Sequence, residues 1–538
     1  MTCRSMFAVA GLLLLLSWST DLCAMATTPR DEIAHVDSSF VVDGRLLSGR
    51  FTDIEGDGIN ELILATLGQD GRRELRIHRW RPDGLIDPVA DKVVVLKNDV
   101  VSWALADVRP ESGRELIFIT RSGAYSYALE HAGYANNIAR LIKTPLFFDL
   151  VDKNQLEEWT YVLPRTSGDA LLLPGPTGYA IWSPGEGGYA VECDLLEEQM
   201  SGLLSESGAH GTVRIGSNRL TVKADTMGDA PSTFPSHYGQ LPWASFLSAE
   251  HEIHSPALID LNDDGLIDLV TRGGNALSIH LATDEGVPRE PVRTEQYPGV
   301  MVNNNVRRDI EFHDLDADGD LDALVRLREA RDGFSVGDIT IRFLVMKNDG
   351  EKLLSETPNQ VLTFSGMSVR ASVTDVNGDG LQDLVISKVA APGLGDLVTI
   401  ANGLNFTRST MAFFGEGDAR FSRTPNLDPP PISFDEDSVQ DAISRRLLSE
   451  DFNGDGIADL VDVDLSGQIA IFRVLKDSGF FAGETWELEE VPWQRFEVRG
   501  DIRDLHATDV NGDGLGDVVS FRSNGVTLLL SRRAGVSR

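Results

Sequence analysis

The sequence is poor in cysteine and in basic residues. Of its 538 residues only 3 are Cys, and 48 Lys and Arg stand against 83 Asp and Glu, which gives a formal net charge of −35. A nucleic-acid-binding protein needs clustered Lys and Arg for its phosphate contacts, so this balance excludes nucleic acid as a partner. Hydrophobic residues nevertheless make up 42% of the chain, which is too large a share for a disordered protein.

Long apolar runs are also missing after the first 26 residues, which have the pattern of a secretory signal. Arg4 is basic, an apolar run extends from Phe7 to Leu16, and Ala24-Met25-Ala26 has the small-x-small form of a cleavage site. The run is too short to span a bilayer. We therefore expect an exported protein, periplasmic, on the cell surface or secreted, with no integral membrane segment after cleavage. A membrane anchor and a buried N-terminal helix are the alternatives.

Removal of this signal would leave a single cysteine. Cys3 and Cys23 would leave with it, and Cys193 would remain alone, so no internal disulfide could form. We interpret Cys193 as a buried, unreactive thiol, because no His, Asn or Asp pattern of a cysteine enzyme surrounds it. A nucleophile is the alternative.

What the sequence does have is a repeated acidic loop. Five nine-residue segments share the pattern Asp-x-[Asn/Asp]-x-Asp-Gly-x-x-Asp, and a sixth, residues 53–61, differs only by acidic exchanges. Calcium prefers six to eight oxygen ligands, and side chains at positions 1, 3, 5 and 9 with a backbone carbonyl at position 7 can supply them. Position 6 must turn sharply, and it is Gly in every copy. We therefore predict about five to six calcium (Ca²⁺) sites.

The predicted metal ligands at positions 1, 3, 5 and 9 of the six loops are Asp53, Glu55, Asp57 and Glu61; Asp260, Asn262, Asp264 and Asp268; Asp314, Asp316, Asp318 and Asp322; Asp375, Asn377, Asp379 and Asp383; Asp451, Asn453, Asp455 and Asp459; and Asp509, Asn511, Asp513 and Asp517. Position 2 is apolar in all six copies, which predicts that each loop is held against a core. An EF-hand would need Glu at position 12 and flanking helices, and the loops have neither. Solvated hairpin tips are the other alternative.

The segments that follow the loops also repeat. Each loop precedes a β-branched or aliphatic strand, a Gly-containing turn and a second strand, and the same hairpin follows Asp107 and Tyr161, where most ligands are lost. We predict little or no metal at those two places. Eight units then start near residues 53, 107, 161, 260, 314, 375, 451 and 509. Units of four short antiparallel strands predict an all-β propeller with eight blades, and a linear solenoid is the alternative.

Two segments interrupt this spacing. Residues 194–250 and 425–446 are predicted insertions, although the first could also hide a degenerate unit. Asp194 to Leu204 has a helical pattern, and residues 425–441 have the composition of a surface loop. Because loops carry binding functions more often than the elements they connect, both segments are candidate partner sites.

The loop and its spacing together resemble the FG-GAP or VCBS-repeat family, whose β-propellers include the headpiece propeller of integrin α chains. The resemblance covers residues 37–535 and implies calcium at the blade periphery in the six loops. Integrin propellers have seven blades, which is the alternative count. Bacterial exported proteins with such repeats are the closer analogy.

These features predict a non-enzymatic calcium-binding propeller, a monomer, that binds a protein or glycan partner in adhesion or assembly. The alternative is a calcium-dependent polysaccharide lyase or hydrolase built on the propeller. His251, His254, His313 and His506 fall just before calcium loops and would be its candidate bases. No residue spacing typical of a catalytic site supports that alternative.

Overall fold

The computed structural model describes residues 33–533 except 111–112, 129–137, 149–153, 176–177, 197–211, 217–218, 225–248, 254, 274–275, 298–305, 330–338, 351, 355–356, 391–404, 436–445, 464–467, 480–482 and 499–501. The predicted signal at residues 1–26 lies outside this part of the chain. The described residues form an all-β structure without a helix, as the sequence predicts.

Eight four-stranded antiparallel sheets form the blades of a propeller, which confirms the predicted fold and blade count. The chain begins with β1 (Ile33–Asp37) and β2 (Phe40–Val41). Blades 1 to 3 consist of β3 (Arg45–Thr52), β4 (Glu61–Leu67), β5 (Arg73–His78) and β6 (Lys92–Leu96); β7 (Val100–Ala106), β8 (Glu115–Thr120), β9 (Gly123–Tyr127) and β10 (Ile138–Ile142); and β11 (Val162–Leu163), β12 (Ala170–Pro174), β13 (Gly178–Gly185) and β14 (Gly188–Leu196).

An additional antiparallel sheet follows blade 3 and consists of β15 (Thr212–Gly216), β16 (Arg219–Ala224) and β17 (Ala249–Ile253). Blades 4 to 6 consist of β18 (Ala257–Ile259), β19 (Asp268–Gly273), β20 (Ala276–His280) and β21 (Arg293–Gln296); β22 (Val306–His313), β23 (Asp322–Glu329), β24 (Ile339–Met346) and β25 (Gln360–Gly366); and β26 (Ser368–Thr374), β27 (Asp383–Ala390), β28 (Asn405–Phe413) and β29 (Ile432–Asp435).

Blade 7 consists of β30 (Arg446–Glu450), β31 (Asp459–Val463), β32 (Gln468–Phe472) and β35 (Gln494–Glu497), and a separate hairpin of β33 (Val474–Gly479) and β34 (Gly483–Leu488) is inserted before its last strand. Blade 8 consists of β36 (Ile502–Thr508), β37 (Asp517–Arg522), β38 (Gly525–Arg533) and β1.

The N-terminal strand closes the ring. β1 pairs with β38 from Ile33↔Arg533 to Asp37↔Leu529, so the two ends of the described chain share one sheet. His35 of this strand lies against Trp493 and Phe496 near β35, with ring centroids 5.4 and 5.2 Å apart. Because β1 supplies the fourth strand of blade 8, the N-terminal and C-terminal ends of the chain together complete the last blade of the ring.

The hydrophobic core is divided into clusters that lie between neighbouring blades. One cluster joins blade 8 to blade 1 through Phe521 and Leu64, and another joins blade 7 to blade 8 through Phe452 and Val518. Further clusters join the remaining neighbours in turn, from blade 1 to blade 7. Each blade therefore buries both of its faces only when its neighbours are present, as the repeat pattern predicts.

The structure changes the interpretation of the two irregular segments. The helix predicted from Asp194 to Leu204 is wrong at its start. Residues 194–196 are the end of strand β14 and pair with β13, at Gly178↔Leu196. These residues supply the outer strand that blade 3 needs, and residues 197–204 lie outside the described part. The segment 425–446 contributes β29, the outer strand of blade 6, and residues 436–445 are likewise outside.

Within the described residues, no helix has the length and apolar character needed to cross a membrane.

Candidate metal centres

All six acidic loops occupy the same place in their blades, between the first and the second strand. The apolar residue at position 2 is buried in each, with side chains no more than 3% exposed: Ile54, Leu261, Leu315, Val376, Phe452 and Val510. This confirms that each loop is anchored on the core, while positions 3 to 6 are half-buried or exposed, apart from the buried side chain of Asp316.

The carboxylates at positions 1 and 5 accept hydrogen bonds from backbone N–H groups of their own loop. In loop 375–383, Asp375 accepts hydrogen bonds from the N–H groups of Gly378 and Gly380 at 2.8 and 2.9 Å. Asp379 at position 5 accepts one from the N–H of Leu381 at 2.9 Å. The bond from position 6 to position 1 and the bond from position 7 to position 5 recur in all six loops. The oxygen-bearing side chains are thus held in one arrangement by the local sequence.

Neighbouring loops are hydrogen-bonded to each other. The N–H of Ala458 in blade 7 donates to the carbonyl of Val376 in blade 6 at 2.8 Å, and that of Gly516 in blade 8 donates to the carbonyl of Asp451 at 2.7 Å. Arg114 of blade 2 donates in the same way to Ile54 of blade 1 at 2.8 Å. These contacts place the loops side by side on one face of the ring.

The acid at position 9 has a structural role in addition to the metal ligation predicted for it. Asp383 accepts the N–H of Val376 at 2.8 Å with one oxygen and the N–H of Gly415, just after β28, at 2.7 Å with the other. The same pair of bonds joins Asp517 to Val510 at 3.1 Å and to Ser531 at 2.8 Å. The carboxylate therefore clamps its own loop to the end of the third strand.

Both bonds of this clamp are present in blades 4 to 8, and a buried acid occupies the same place in blades 1, 2 and 3. The position-9 acids are between 0% and 8% exposed: Glu61, Glu115, Asp169, Asp268, Asp322, Asp383, Asp459 and Asp517. In blade 2, Glu115 accepts the N–H of Val108 at 3.0 Å, whereas in blade 3 Asp169 accepts the N–H of Asp107, which belongs to the neighbouring loop of blade 2, at 2.8 Å. Blades 2 and 3 keep this acid although their loops lack most of the other ligands. That pattern in the sequence indicates a structural role for the acid.

Burial of the clamp shifts its acidity. The pKa of Asp517 is raised to about 8 and that of Asp459 to about 7, first because burial disfavours the charged form and further because the loop's other aspartates repel it. The pKa of Glu61 is raised to about 7 for the same reasons, and the pKa values of Asp322 and Asp383 are raised to about 6. A bound cation would relieve this repulsion.

Loop 314–322 brings three acidic candidate ligands together. Oxygen atoms of Asp314, Asp316 and Asp318 lie within 4.8 Å of one another, and they form the one such acidic group found among the described residues. The Asp316 side chain is only 4% exposed, and its Oδ1 has no hydrogen-bond partner. A buried carboxylate oxygen without a partner, beside two other carboxylates, fits a hard cation such as calcium.

Four other loops differ at position 3, which is Asn262, Asn377, Asn453 or Asn511. The Asn377 amide donates to Asp379 at 2.9 Å, and that of Asn453 donates to Asp459 at 2.8 Å. An amide supplies a neutral oxygen to a metal, so these loops can still present an oxygen-only ligand set. In the remaining loop, Glu55 at position 3 pairs with Arg79.

The loops of blades 2 and 3 carry arginine where the other loops carry ligands. Arg109 is at position 3 of the first and Arg165 at position 5 of the second, and Arg165 is paired with Glu192. These loops border a cavity of about 700 Å³ that also touches Gly56 and Gly265 of the flanking acidic loops. Cationic residues at ligand positions agree with the expected loss of metal there.

The remaining residues singled out in the sequence lie elsewhere. Burial raises the pKa of the half-buried Cys193 thiol to about 11, so it stays protonated at neutral pH. His313 lies 3.6 Å from Glu311, and His506 is hydrogen-bonded to Asp504 at 3.0 Å, which raises its pKa. His251 belongs to β17 and His254 lies outside the described residues.

The sequence matches no protein-family model, and no curated protein is similar to it. Among solved structures, it is similar to an Agrocybe aegerita lectin described as recognising non-reducing terminal N-acetylglucosamine, at 13% identity and a TM-score of 0.33, over 80% of this chain and 87% of that one. It is also similar to the V. cholerae biofilm matrix protein Bap1, at 10% identity and a TM-score of 0.25, over 93% and 89% of the two chains. Likeness at this level says nothing about what the present chain binds.

Proposed function

We propose that the protein is an exported, calcium-stabilised propeller of the FG-GAP or VCBS-repeat type that binds a protein or glycan partner without catalysing a reaction. The observation that supports calcium most directly is the trio Asp314, Asp316 and Asp318, with a buried carboxylate oxygen that lacks a partner. Five further loops share its hydrogen-bonded geometry. A bound calcium ion would offset the mutual repulsion of the carboxylates within each loop.

Calcium at these loops would act on the ring as a whole. The loops of neighbouring blades are joined by backbone hydrogen bonds, such as that from Gly516 to Asp451, so a cation that stiffens one loop also supports the next blade. With a dissociation constant near 10⁻⁴ M, one site would add about 1.4 kcal/mol at about 1 mM calcium. Several such sites would rival the whole stability of a typical domain.

The cavity beside blades 2 and 3 is the proposed partner site. Its volume of about 700 Å³ is within the range of ligand pockets. Its lining mixes acceptors such as Asp107 and Asp284 with donors such as Arg114 and Ser167, which suits the hydroxyl groups of a sugar or the backbone of a peptide. The acidic loops 53–61 and 260–268, which are proposed to bind calcium, flank it on both sides.

Size-exclusion chromatography with light scattering tests this proposal. The mature protein is mixed with a panel of acidic and neutral polysaccharides in calcium and again in EDTA. Co-elution without shortening of the polymer, lost in EDTA and lost in Arg114→Glu, supports a calcium-dependent glycan binder. Shortened polymer contradicts the non-enzymatic role. If no polymer co-elutes but EDTA still swells or unfolds the protein, the calcium role stands and the partner is a protein.

A further inference from the structure

The six acidic loops differ in the residue that faces their position-9 acid from the third strand of the blade. In register, that residue lies opposite the position-9 acid, as Lys347 does one step beyond the pair Ala323↔Met346. The six residues are Arg79, Leu281, Lys347, Phe414, Arg473 and Leu530. Three blades therefore place a cation at the edge of the loop, and three place an apolar side chain there.

This difference goes together with the identity of position 3. Position 3 is acidic in two loops only, as Glu55 and as Asp316, and each acid forms an ion pair with the facing cation of its own blade, Arg79 and Lys347. The third facing cation, Arg473, lies beside a loop with Asn453 at position 3 and instead forms a bidentate pair with Glu489 at 2.8 and 2.9 Å. An extra acid in the loop is thus matched by a base that neutralises it.

Lys347 contacts two acids of its loop. Its ammonium contacts the Asp316 carboxylate and lies 3.5 Å from Asp318 Oδ2 and 3.5 Å from Asp418 Oδ1 of blade 6. Asp316 and Asp318 are two of the three acids whose oxygens converge within 4.8 Å. The ammonium and a calcium ion bound in this loop would compete for the same carboxylates.

We infer that Lys347 is a built-in competitor for the cation site of loop 314–322, so that calcium must displace its ammonium and this loop fills after the four loops with Asn at position 3. The inference rests on the calcium binding proposed above. Arg79 acts in the same way on loop 53–61 by holding Glu55. The propeller then has two classes of site: four that fill first and stabilise the ring, and two that respond to higher calcium concentrations.

The expected size of the effect follows from the exposure of the two partners. The Asp316 side chain is almost completely buried, whereas the Lys347 side chain is 30% exposed. A pair of this kind contributes less than a fully buried one but more than a surface pair, so we expect removal of Lys347 to tighten calcium binding at this loop by about three- to tenfold.

A calcium titration of the full chain against a chromogenic chelator, with native mass spectrometry to count bound ions, tests the inference. Wild type should fill four sites before the remainder, and Lys347→Leu should add a fifth site to the tight class. Lys476→Leu is the matched control, because Lys476 pairs with Glu484 in the β33–β34 hairpin and its removal changes net charge equally. The double variant Asp316→Asn with Lys347→Leu recreates the Asn511 and Leu530 pair of blade 8 and should also give a fifth tight site.

Lysine labelling of the wild type gives a second readout that needs no variant. Reductive methylation of Lys347 should rise as calcium displaces it into solvent, whereas methylation of Lys476 should stay constant. If calcium binds but Lys347→Leu titrates like wild type, or if Lys347 labelling is unchanged by calcium, the inference is wrong and the proposed calcium role stands. If wild type and all variants bind no calcium, the proposed function itself fails.

Discussion

Glu115 accepts a hydrogen bond from the N–H of Val108 at 3.0 Å, in a blade whose loop has Arg109 in place of a metal ligand. In each of the six acidic loops the acid at position 9 accepts the same bond from the N–H of position 2. In the first loop, for example, Glu61 accepts the N–H of Ile54 at 2.9 Å. The acid at position 9 therefore maintains the blade whether or not its loop is built to hold a cation.

The first prediction separates this clamp from metal binding. Glu115→Ala leaves the buried N–H of Val108 without its acceptor, so we expect a loss of about 2 kcal/mol in the free energy of unfolding. The loss should be equal in calcium and in EDTA, because the loop of blade 2 is not expected to bind metal. Urea unfolding measures the free energy of unfolding in calcium and in EDTA.

Asp107→Ala, which removes an exposed carboxylate from the same loop, is the control and should change stability by less than about 0.5 kcal/mol. Equal stability of Glu115→Ala and wild type would show that the clamp is unimportant.

The second prediction concerns the calcium-dependent part of stability. Asp379→Ala removes the position-5 carboxylate, and we expect the stabilisation by about 1 mM calcium to fall by about 1.4 kcal/mol, the contribution of one site with a dissociation constant near 10⁻⁴ M. Asp455→Ala should act alike. Thermal unfolding in calcium and in EDTA measures the difference. Asp107→Ala should leave the calcium-dependent difference intact, and a loss there as large as in Asp379→Ala would mean that blade 2 also binds metal.

Particular residues show how far the sequence could predict this structure. The loops, the burial of position 2 and the eight units follow from short motifs in which each residue's neighbours are a few positions away. The second bond of the position-9 clamp comes from the far end of another strand, as from Gly415 to Asp383, which are 32 positions apart. Lys347 lies 31 positions from Asp316. Contacts over such distances leave no mark in a nine-residue pattern.

The same reason explains the misread segments. The helical pattern at Asp194 to Leu204 was overridden by strand pairing, since residues 194–196 complete β14 against β13. Local hydrophobic spacing is a weak guide where a sheet needs one more strand. Closure of the ring by β1 and β38 joins residues about 500 positions apart and is likewise invisible to a repeat pattern.

The third prediction uses His35 in the closing strand. Burial against Trp493 and Phe496 lowers its pKa from 6.5 to about 4, so the unfolded chain binds a proton that the folded protein does not. Stability contributed by neutral His35 is therefore complete above about pH 6.5 and is lost as the pH falls towards 4. We expect a loss of about 2 kcal/mol over this range, allowing for partial exposure of the ring.

Urea unfolding at pH 4.5 to 7.5 compares wild type with His35→Phe, in which this part of the pH dependence should disappear. His506→Gln is the control of opposite sign, because Asp504 raises the pKa of His506 and its contribution is lost as the pH rises. Parallel pH profiles for His35→Phe and wild type would contradict the assignment of His35 as a neutral, buried ring.

The last prediction tests the contact between neighbouring loops. Gly378 has φ +72°, and a Cβ atom on it would lie 2.1 Å from the carbonyl oxygen of Gly456 in the next blade. Gly380, two residues on in the same loop, has φ +88° and open space around it. Both substitutions to Ala force a left-handed backbone on a residue that disfavours it, at about 1 kcal/mol, but only Gly378→Ala must also push two loops apart. We expect Gly378→Ala to lose about 2 kcal/mol more than Gly380→Ala when unfolding is measured in EDTA. Because the variants share the strain and differ in the neighbour, equal losses would mean that the loops of blades 6 and 7 do not touch in solution, and the coupling of blades through their loops would be wrong.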